Sequence, residues 1–388
     1  MNNTNEHPGA LPPLSLYVHI PWCVRKCPYC DFNSHAQREE SLPETAYIGA
    51  LLSDLRFELN RLSAARPLHS IFIGGGTPSL FSAYAFHRLL SEIDQLIGIS
   101  AATEITLEAN PGTFEQLKFA GFKAAGINRL SLGIQSFNNT QLKALGRIHS
   151  AENAIQAAQA AIKLFDRVNL DLMHGLPQQS TQDALDDLQQ AIDLGPEHLS
   201  WYQLTLEPNT EFHARPPQLP VDEALWEIQE QGQQRLSQAG FQQYEISAYA
   251  RHQAMSRHNL NYWTFGDYIG IGAGAHGKVT HFDNNRLRIE RHHKRRQPKA
   301  YLQAIDPTQQ REWVDPNELP FEFMLNALRL YEGVPASLYE QRTGLSLQQI
   351  QKPLSAARAK GLLTSNLDRL EPSAQGRLFL NDLLEQFL

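Results

Sequence analysis

From Leu14 onward, short apolar runs alternate with longer amphipathic stretches. The runs at 14–19, 70–73, 104–108, 129–133, 168–173 and 198–206 have the length of buried strands. Between them, 44–62, 83–96, 113–124, 151–163 and 181–194 carry apolar residues at helical spacing. Strand and helix in strict turn mean βαβ units around a parallel sheet. Six units are too few for a closed eightfold barrel and predict an α/β fold, a partial (β/α)6 barrel of the TIM type. A doubly wound open sheet is the alternative that periodicity alone does not separate.

Past residue 212 the rhythm changes. A helix is expected over 221–239, followed by a Gly-, Tyr- and His-rich region over 244–278 and a basic run over 286–299 with seven Lys/Arg against Glu290. The remainder is mostly helical, over 321–330, 347–360 and 374–387, with a hairpin-like piece at 362–373. That order resembles a winged helix. The expected division is a flexible N-terminal tail over 1–13, the partial barrel over 14–212, an α+β accessory region over 213–315 and a mainly helical, winged-helix-like C-terminal domain over 316–388. Residues 315–388 hold seven Lys/Arg against nine Asp/Glu, whereas nucleic-acid binding needs a basic face. A docking module is the expectation there, with no nucleic-acid partner.

Composition narrows the class. With 42% hydrophobic residues and a net charge of −7 the chain is expected to fold. No stretch approaches the ~18 uninterrupted apolar residues of a membrane span, and the polar start does not read as a signal peptide. All three cysteines fall within eight positions, at Cys23, Cys27 and Cys30. An odd, clustered set is no disulfide framework. It points to a cytoplasmic, reducing compartment and to metal or thiol chemistry.

The cysteines follow the first strand in a C-x3-C-x2-C loop. Three thiolates are one short of a closed zinc site or a fully protein-ligated cluster. Arg25 and Lys26 within the loop are expected to favour thiolate. A Cys3His zinc knuckle, with His19 or His35 as fourth ligand, is the alternative, although zinc knuckles normally pair two C-x2-C units. C-x3-C-x2-C after a first strand resembles the radical S-adenosylmethionine (SAM) superfamily. That resemblance implies a 4Fe-4S cluster on Cys23, Cys27 and Cys30 whose open iron chelates SAM.

Ligands of a parallel barrel gather at the carboxyl ends of its strands. There the sequence places Gly74-Gly75-Gly76-Thr77, then Glu108, then Gln135 followed by Arg147, then Asp171. Glycines admit close backbone approach to a ligand, and carboxylates suit ribose hydroxyls or an amino group. These motifs resemble the oxygen-independent coproporphyrinogen III oxidase group within the superfamily. By that resemblance Tyr17, Gly75, Gly76, Thr77, Glu108, Gln135, Arg147 and Asp171 contact SAM, and Tyr29 flanks its adenine. Further contacts are expected after the sixth strand and near Gly274–His276.

Two features separate oxidase from carrier. The oxidase pattern continues to a fourth cysteine two residues after the third, where this chain has Phe32. The segment His258-Asn259-Leu-Asn-Tyr262-Trp263 matches the HNxxYW motif of haem chaperones related to that oxidase. His258 could supply an axial imidazole, Tyr262 and Trp263 flat apolar faces, and Asn259 a hydrogen bond to the imidazole or a propionate. His292 and His293 read as part of a solvated basic face. Residues 272–277 formally match G-x-G-x-x-G but read better as a tight turn at the barrel mouth than as a dinucleotide site. The reading is a haem chaperone with a 4Fe-4S cluster, SAM and haem, partnered by haem-acceptor proteins and an electron donor and not integral to the membrane. The resemblance implies the parts for reductive SAM cleavage and argues against coproporphyrinogen oxidase activity. That oxidase is the alternative, and a structural zinc protein is the third reading.

Overall fold

The computed structural model describes residues 11–37, 41–112, 116–283 and 286–388. Most of the expected tail, residues 1–10, and the start of the helix expected from 113 lie outside them. Six strands, β1 (Leu14–Ile20), β2 (Leu68–Gly75), β3 (Glu104–Ala109), β4 (Arg129–Gln135), β5 (Arg167–His174) and β6 (His198–Gln203), pair in parallel in chain order. A monotonic order is that of a barrel sector, since a doubly wound sheet reverses direction at its centre. The sheet stays open. Outside β6 lies the antiparallel β7 (Ala248–Ala250), and outside β1 lies β8 (Asp267–Ile271). The sixth strand ends three residues earlier than expected, because after Gln203 the chain turns off, with the Leu204 N–H donating to the His174 carbonyl (2.9 Å).

Side chains alternate along each strand. Leu16, Val18 and Ile20, with Ile71, Ile73, Leu107, Leu132 and Leu170, face outward into the main core. There they meet α1 (Glu44–Leu59), α2 (Ala83–Ile97), α3 (Phe119–Ala124), α4 (Ala151–Leu164) and α5 (Thr181–Leu194) through Leu51, Leu55, Phe86, Leu89, Phe122, Ala158 and Leu188. Serine side chains cap α2, α4 and α5 at Ser82, Ser150 and Ser180. The alternate positions, Ser15, Tyr17 and His19 on β1 and Ser131 and Gly133 on β4 among them, line the inner face.

The largest departure from expectation lies in the basic run. Residues 286–294 form a strand, β10 (Arg286–Lys294), between β9 (His276–Asp283) and β11 (Thr308–Trp313). With β8 these strands extend the barrel sheet past β1. The expected solvated face is therefore half wrong: Glu290, His292 and Lys294 lie on the helix side of the sheet and are buried, while His293 stays half-exposed. Partners from α1 make that burial tolerable. Lys294 Nζ meets Asp54 Oδ1 at 2.6 Å and also pairs with Glu58, which accepts from Arg311 Nη2 at 2.7 Å. Burial raises the Glu58 carboxyl, but His292, Lys294 and Arg311 outweigh it and hold the group low.

The C-terminal residues form a second core around Phe323, Met324, Tyr339, Leu354 and Leu383. Helices α6 (Leu319–Ala327), α7 (Ser337–Thr343) and α8 (Gln351–Ala359) are joined by a two-stranded antiparallel pairing of Val334–Pro335 with Arg369–Leu370. This is the helical, winged arrangement expected. Among the described residues no helix is long and apolar enough to cross a membrane.

Replacing Lys294 with Ala leaves two carboxylates buried without their shared cation. Breaking a buried ion pair typically costs ~3–5 kcal/mol. Urea unfolding should show Lys294→Ala destabilised by about that amount, and an unchanged midpoint would contradict this account of the extension.

Candidate functional site

The cysteine loop leaves β1 at Pro21 and is closed by the parallel pairing of Trp22–Cys23 with His35–Ala36. It is held to the end of β2 by backbone hydrogen bonds, with the Thr77 hydroxyl beside Cys23. The Gly76 N–H donates to the Ile20 carbonyl (2.8 Å) and the Thr77 N–H to the Trp22 carbonyl (2.7 Å). A Cβ on Gly76 would stand 2.6 Å from the Trp22 oxygen and 3.0 Å from Cys23 Sγ. Gly75 has φ +117°, and a Cβ there would stand 2.6 Å from the His19 ring. Only glycine allows the loop to sit this close.

Cys23 is buried, and Cys27 and Cys30 are half-buried. The three thiols are electrostatic neighbours, although among the described residues no group of three ligating side chains is already closed around a metal position. Arg147 Nη1 approaches Cys27 Sγ at 3.7 Å, while its Nη2 donates to the Gly133 carbonyl (2.7 Å) and Asn110 Oδ1 (2.8 Å). Burial pushes the Cys23 and Cys30 thiols up, outweighing the Thr77 and Ser34 hydroxyls that pull them down. The expectation that Arg25 and Lys26 favour thiolate fails for these two cysteines, because desolvation exceeds the charge effect. Three sulfurs on one loop suit three irons of a cube and leave the fourth iron open. The zinc alternative loses a ligand, since both nitrogens of His19 are engaged, by the Tyr17 hydroxyl (2.9 Å) and the Asn33 carbonyl (2.9 Å).

The inner face carries the other expected residues. Glu108 Oε2 accepts from the Gly75 N–H at 3.1 Å. Burial, reinforced by Asp171, pushes the Glu108 carboxyl up to about 8. Asp171 accepts from Ser131 Oγ (2.9 Å) and Asn169 Nδ2 (2.8 Å), and burial raises it too. Gln135 has φ +70° and accepts from the Tyr202 hydroxyl at 2.8 Å. Tyr29 packs beside Phe212 in a small apolar cluster with Leu145, Met173 and Leu204.

Beyond these groups opens a cleft of about 550 Å³, within the usual range of ligand pockets. Tyr17, Gly75 and Glu108 line its inner side. Phe32, 62% exposed, stands at the loop side, and Tyr262, Trp263 and Tyr268 form an aromatic wall. His276, Arg291 and Arg296 supply the basic side.

The HNxxYW segment lies in a short α-helix, Arg257–Trp263, capped by Ser256, whose first N–H groups donate to Glu104 (2.9 Å from Arg257, 3.3 Å from His258). His258 does not face the cleft. It is 1% exposed and stacked on Phe72. Its Nδ1 shares a hydrogen bond with Ser70 Oγ (2.9 Å) and its Nε2 one with the Tyr262 hydroxyl (2.9 Å). Burial lowers its pKa to about 3. Asn259 is half-buried and outside the cleft lining; Tyr262 and Trp263 are within it. The structure thus gathers Tyr17, Gly75, Glu108, Tyr262 and Trp263 around one cleft, with Cys27, Thr77 and Arg147 around a smaller pocket of about 200 Å³ on the other side of the loop.

Sequence reasoning missed Asn33. Its Nδ2 donates to the carbonyls of Ala273 (2.8 Å) and Arg296 (2.9 Å), tying the cysteine loop to the turn before β9 and to the end of β10. Nothing in a lone asparagine signals a contact across 240 residues. Arg296 was hidden in the basic run. The turn at 272–275 is tight as expected, with Gly272 at φ +104° and Gly274 at φ +82°.

Comparison with known proteins places residues 17–191 in the Radical SAM superfamily and residues 314–379 in the HemN C-terminal domain. The protein called heme chaperone HemW in Haemophilus influenzae is 53% identical, over 97% of this chain and 98% of its own length. HemW of Escherichia coli is also 53% identical, over 97% and 99%. The mitochondrial radical S-adenosyl methionine domain-containing protein 1 of Bos taurus is 36% identical over 96% and 87%. Among solved structures, coproporphyrinogen III oxidase (HemN) from Escherichia coli, a radical SAM enzyme, superposes with a TM-score of 0.81 at 22% identity, covering 99% of this chain and 91% of that one. That likeness fixes the fold.

Two outcomes follow from the geometry. Gly76→Ala should push the cysteine loop off β2, and iron and acid-labile sulfide per reconstituted chain should fall well below wild type; full loading would contradict the close-approach argument. Glu108 binds a proton in the folded chain that the unfolded chain releases, so it costs stability as pH rises from its ordinary 4.5 to about 8. Glu108→Gln should therefore gain stability over the ligand-free wild type progressively across that window. Parallel urea midpoints at each pH would contradict it.

Proposed function

The chain belongs to the HemW family of radical SAM proteins, and from that premise we propose that it is a haem chaperone, taking up haem in the cleft beside its cysteine loop and passing it to acceptor proteins. The lining of that cleft carries the reading. Phe32, Tyr262, Trp263 and Tyr268 offer apolar faces for a macrocycle, and Arg296, which lines the same cleft, offers a cation for a propionate.

Cys23, Cys27 and Cys30 would hold the 4Fe-4S cluster, which when bound supplies an electron to the SAM sulfonium. Tyr17, Gly75, Gly76, Thr77, Glu108, Gln135, Arg147 and Asp171 would hold SAM, with Tyr29 beside its adenine. Supporting this, the glycines leave a backbone edge open to a ligand, and Glu108 and Asp171, whose carboxyls burial raises, are acceptors that a ribose or ammonium group would engage. Phe32 stands at the cleft mouth at the position of the oxidase pattern's extra cysteine. Of the expected haem contacts, Tyr262 and Trp263 are walls of the site. We read the chain as cytoplasmic, consistent with three free thiols.

Anaerobically reconstituted protein should develop a Soret band on haem titration, yet yield no protoporphyrinogen IX from coproporphyrinogen III with reductant and SAM. Trp263→Ala should weaken haem binding roughly tenfold. Turnover to protoporphyrinogen IX at useful rates, or no haem uptake, would contradict the reading.

A further inference from the structure

Within the haem reading just given, on which this inference rests, we propose that the side chain ligating haem iron is His276 and that His258 is a positioning residue for the aromatic wall. His258 has neither ring nitrogen to spare. Ser70 and Tyr262 occupy both, and Phe72 and Tyr17 cover the ring at 5.0 and 6.5 Å. Ligation through Nε2 would displace the Tyr262 hydroxyl, and ligation through Nδ1 would displace Ser70 Oγ and draw a macrocycle against Ser15 and Ser70, which are joined to each other at 2.8 Å on the sheet. The polar groups freed would remain buried and unpaired. The same two bonds instead hold Tyr262 upright, four residues on along one helix face.

His276 has the opposite surroundings. It begins β9, is exposed, and lines the cleft. Among the described residues no hydrogen bond engages its ring, which stacks on His293 with centroids 5.2 Å apart and an interplanar angle of 26°. That stack fixes the ring plane and leaves its edge free. Asn33 bonds the carbonyls on both sides of this corner, at Ala273 and Arg296, so the imidazole is held in fixed relation to the cysteine loop. Two further groups await a carboxylate. Arg296 lines the cleft with no ion pair among the described residues, and the Trp263 Nε1–H is buried without an acceptor. Arg291 is committed to Glu322 through Nε and Nη2, so Arg296 and Trp263 are the free donors for a propionate.

The test is a haem titration of the full-length, cluster-reconstituted chain, read by absorption and by electron paramagnetic resonance of the ferric haem. Wild type should give an imidazole-ligated spectrum. His276→Ala should lose that signature and bind at least about tenfold more weakly, since even outer-shell partners of a metal ligand commonly cost that much. Added imidazole should restore the spectrum. His276→Met should replace imidazole by thioether ligation, and unchanged iron and sulfide content in both variants shows that the fold and cluster are intact. His258→Ala should keep the imidazole signature. An unaltered spectrum in His276→Ala, or a signature lost in His258→Ala and restored there by imidazole, would overturn the assignment. No Soret band in wild type would instead remove the haem reading itself, and the assignment with it.

Discussion

The backbone contact between the cysteine loop and the end of β2 is the constraint on which the site depends. Two hydrogen bonds, Gly76 to Ile20 at the end of β1 and Thr77 to Trp22 just beyond it, hold the root of the loop. They form only because the glycine run presents bare backbone, since a methyl group on Gly76 would collide with the Trp22 carbonyl. Cys23 is thereby pressed against the sheet edge where Glu108 also lies. The far end of the loop is secured by Asn33, which reaches the turn before β9 and the end of β10. One loop is thus shared between the cofactor side of the barrel and the cleft.

Inside the barrel the physics differs from that of the outer core. The outward strand positions are aliphatic and gain by burial against the helices. The inward positions form a cross-strand polar network: Asn169 bonds Ser131, Asp171 and His198, and Tyr202 bonds Gln135. Buried polar groups are costly unless satisfied, and satisfied networks fix positions closely. Burial raises the carboxyls of both Glu108 and Asp171, as suits groups waiting for a ligand rather than a structural ion pair. The Lys294, Asp54 and Glu58 cluster is of the other kind. Its charges answer one another and fasten the added strands to α1.

The barrel strands and their helices were legible because apolar and polar residues alternate with period two and then 3.6, as in Leu14-Ser-Leu-Tyr-Val-His-Ile. The cysteine spacing and the strand-end residues were legible for the same reason, being local. The extension from β8 to β11 was not. Lys294, His292 and Glu290 look like solvated residues until Asp54 and Glu58, more than 200 positions earlier, are known to face them. His258 marks the same limit: the motif was visible, but which way its imidazole points depends on Ser70, on β2 and far away in sequence.

The coproporphyrinogen oxidase fold and this chain share nearly their whole course, so the fold by itself does not separate carrier from enzyme. Here the cleft lining is aromatic and basic, with Phe32 at its mouth. The central claim is that haem and cluster are neighbours across the cysteine loop. Iron-edge anomalous diffraction from crystals of the haem-loaded, cluster-reconstituted chain tests this directly. The account predicts two iron peaks, one against Cys23, Cys27 and Cys30 and the other in the cleft between Phe32, Trp263 and His276. A haem iron located elsewhere on the molecule would contradict it.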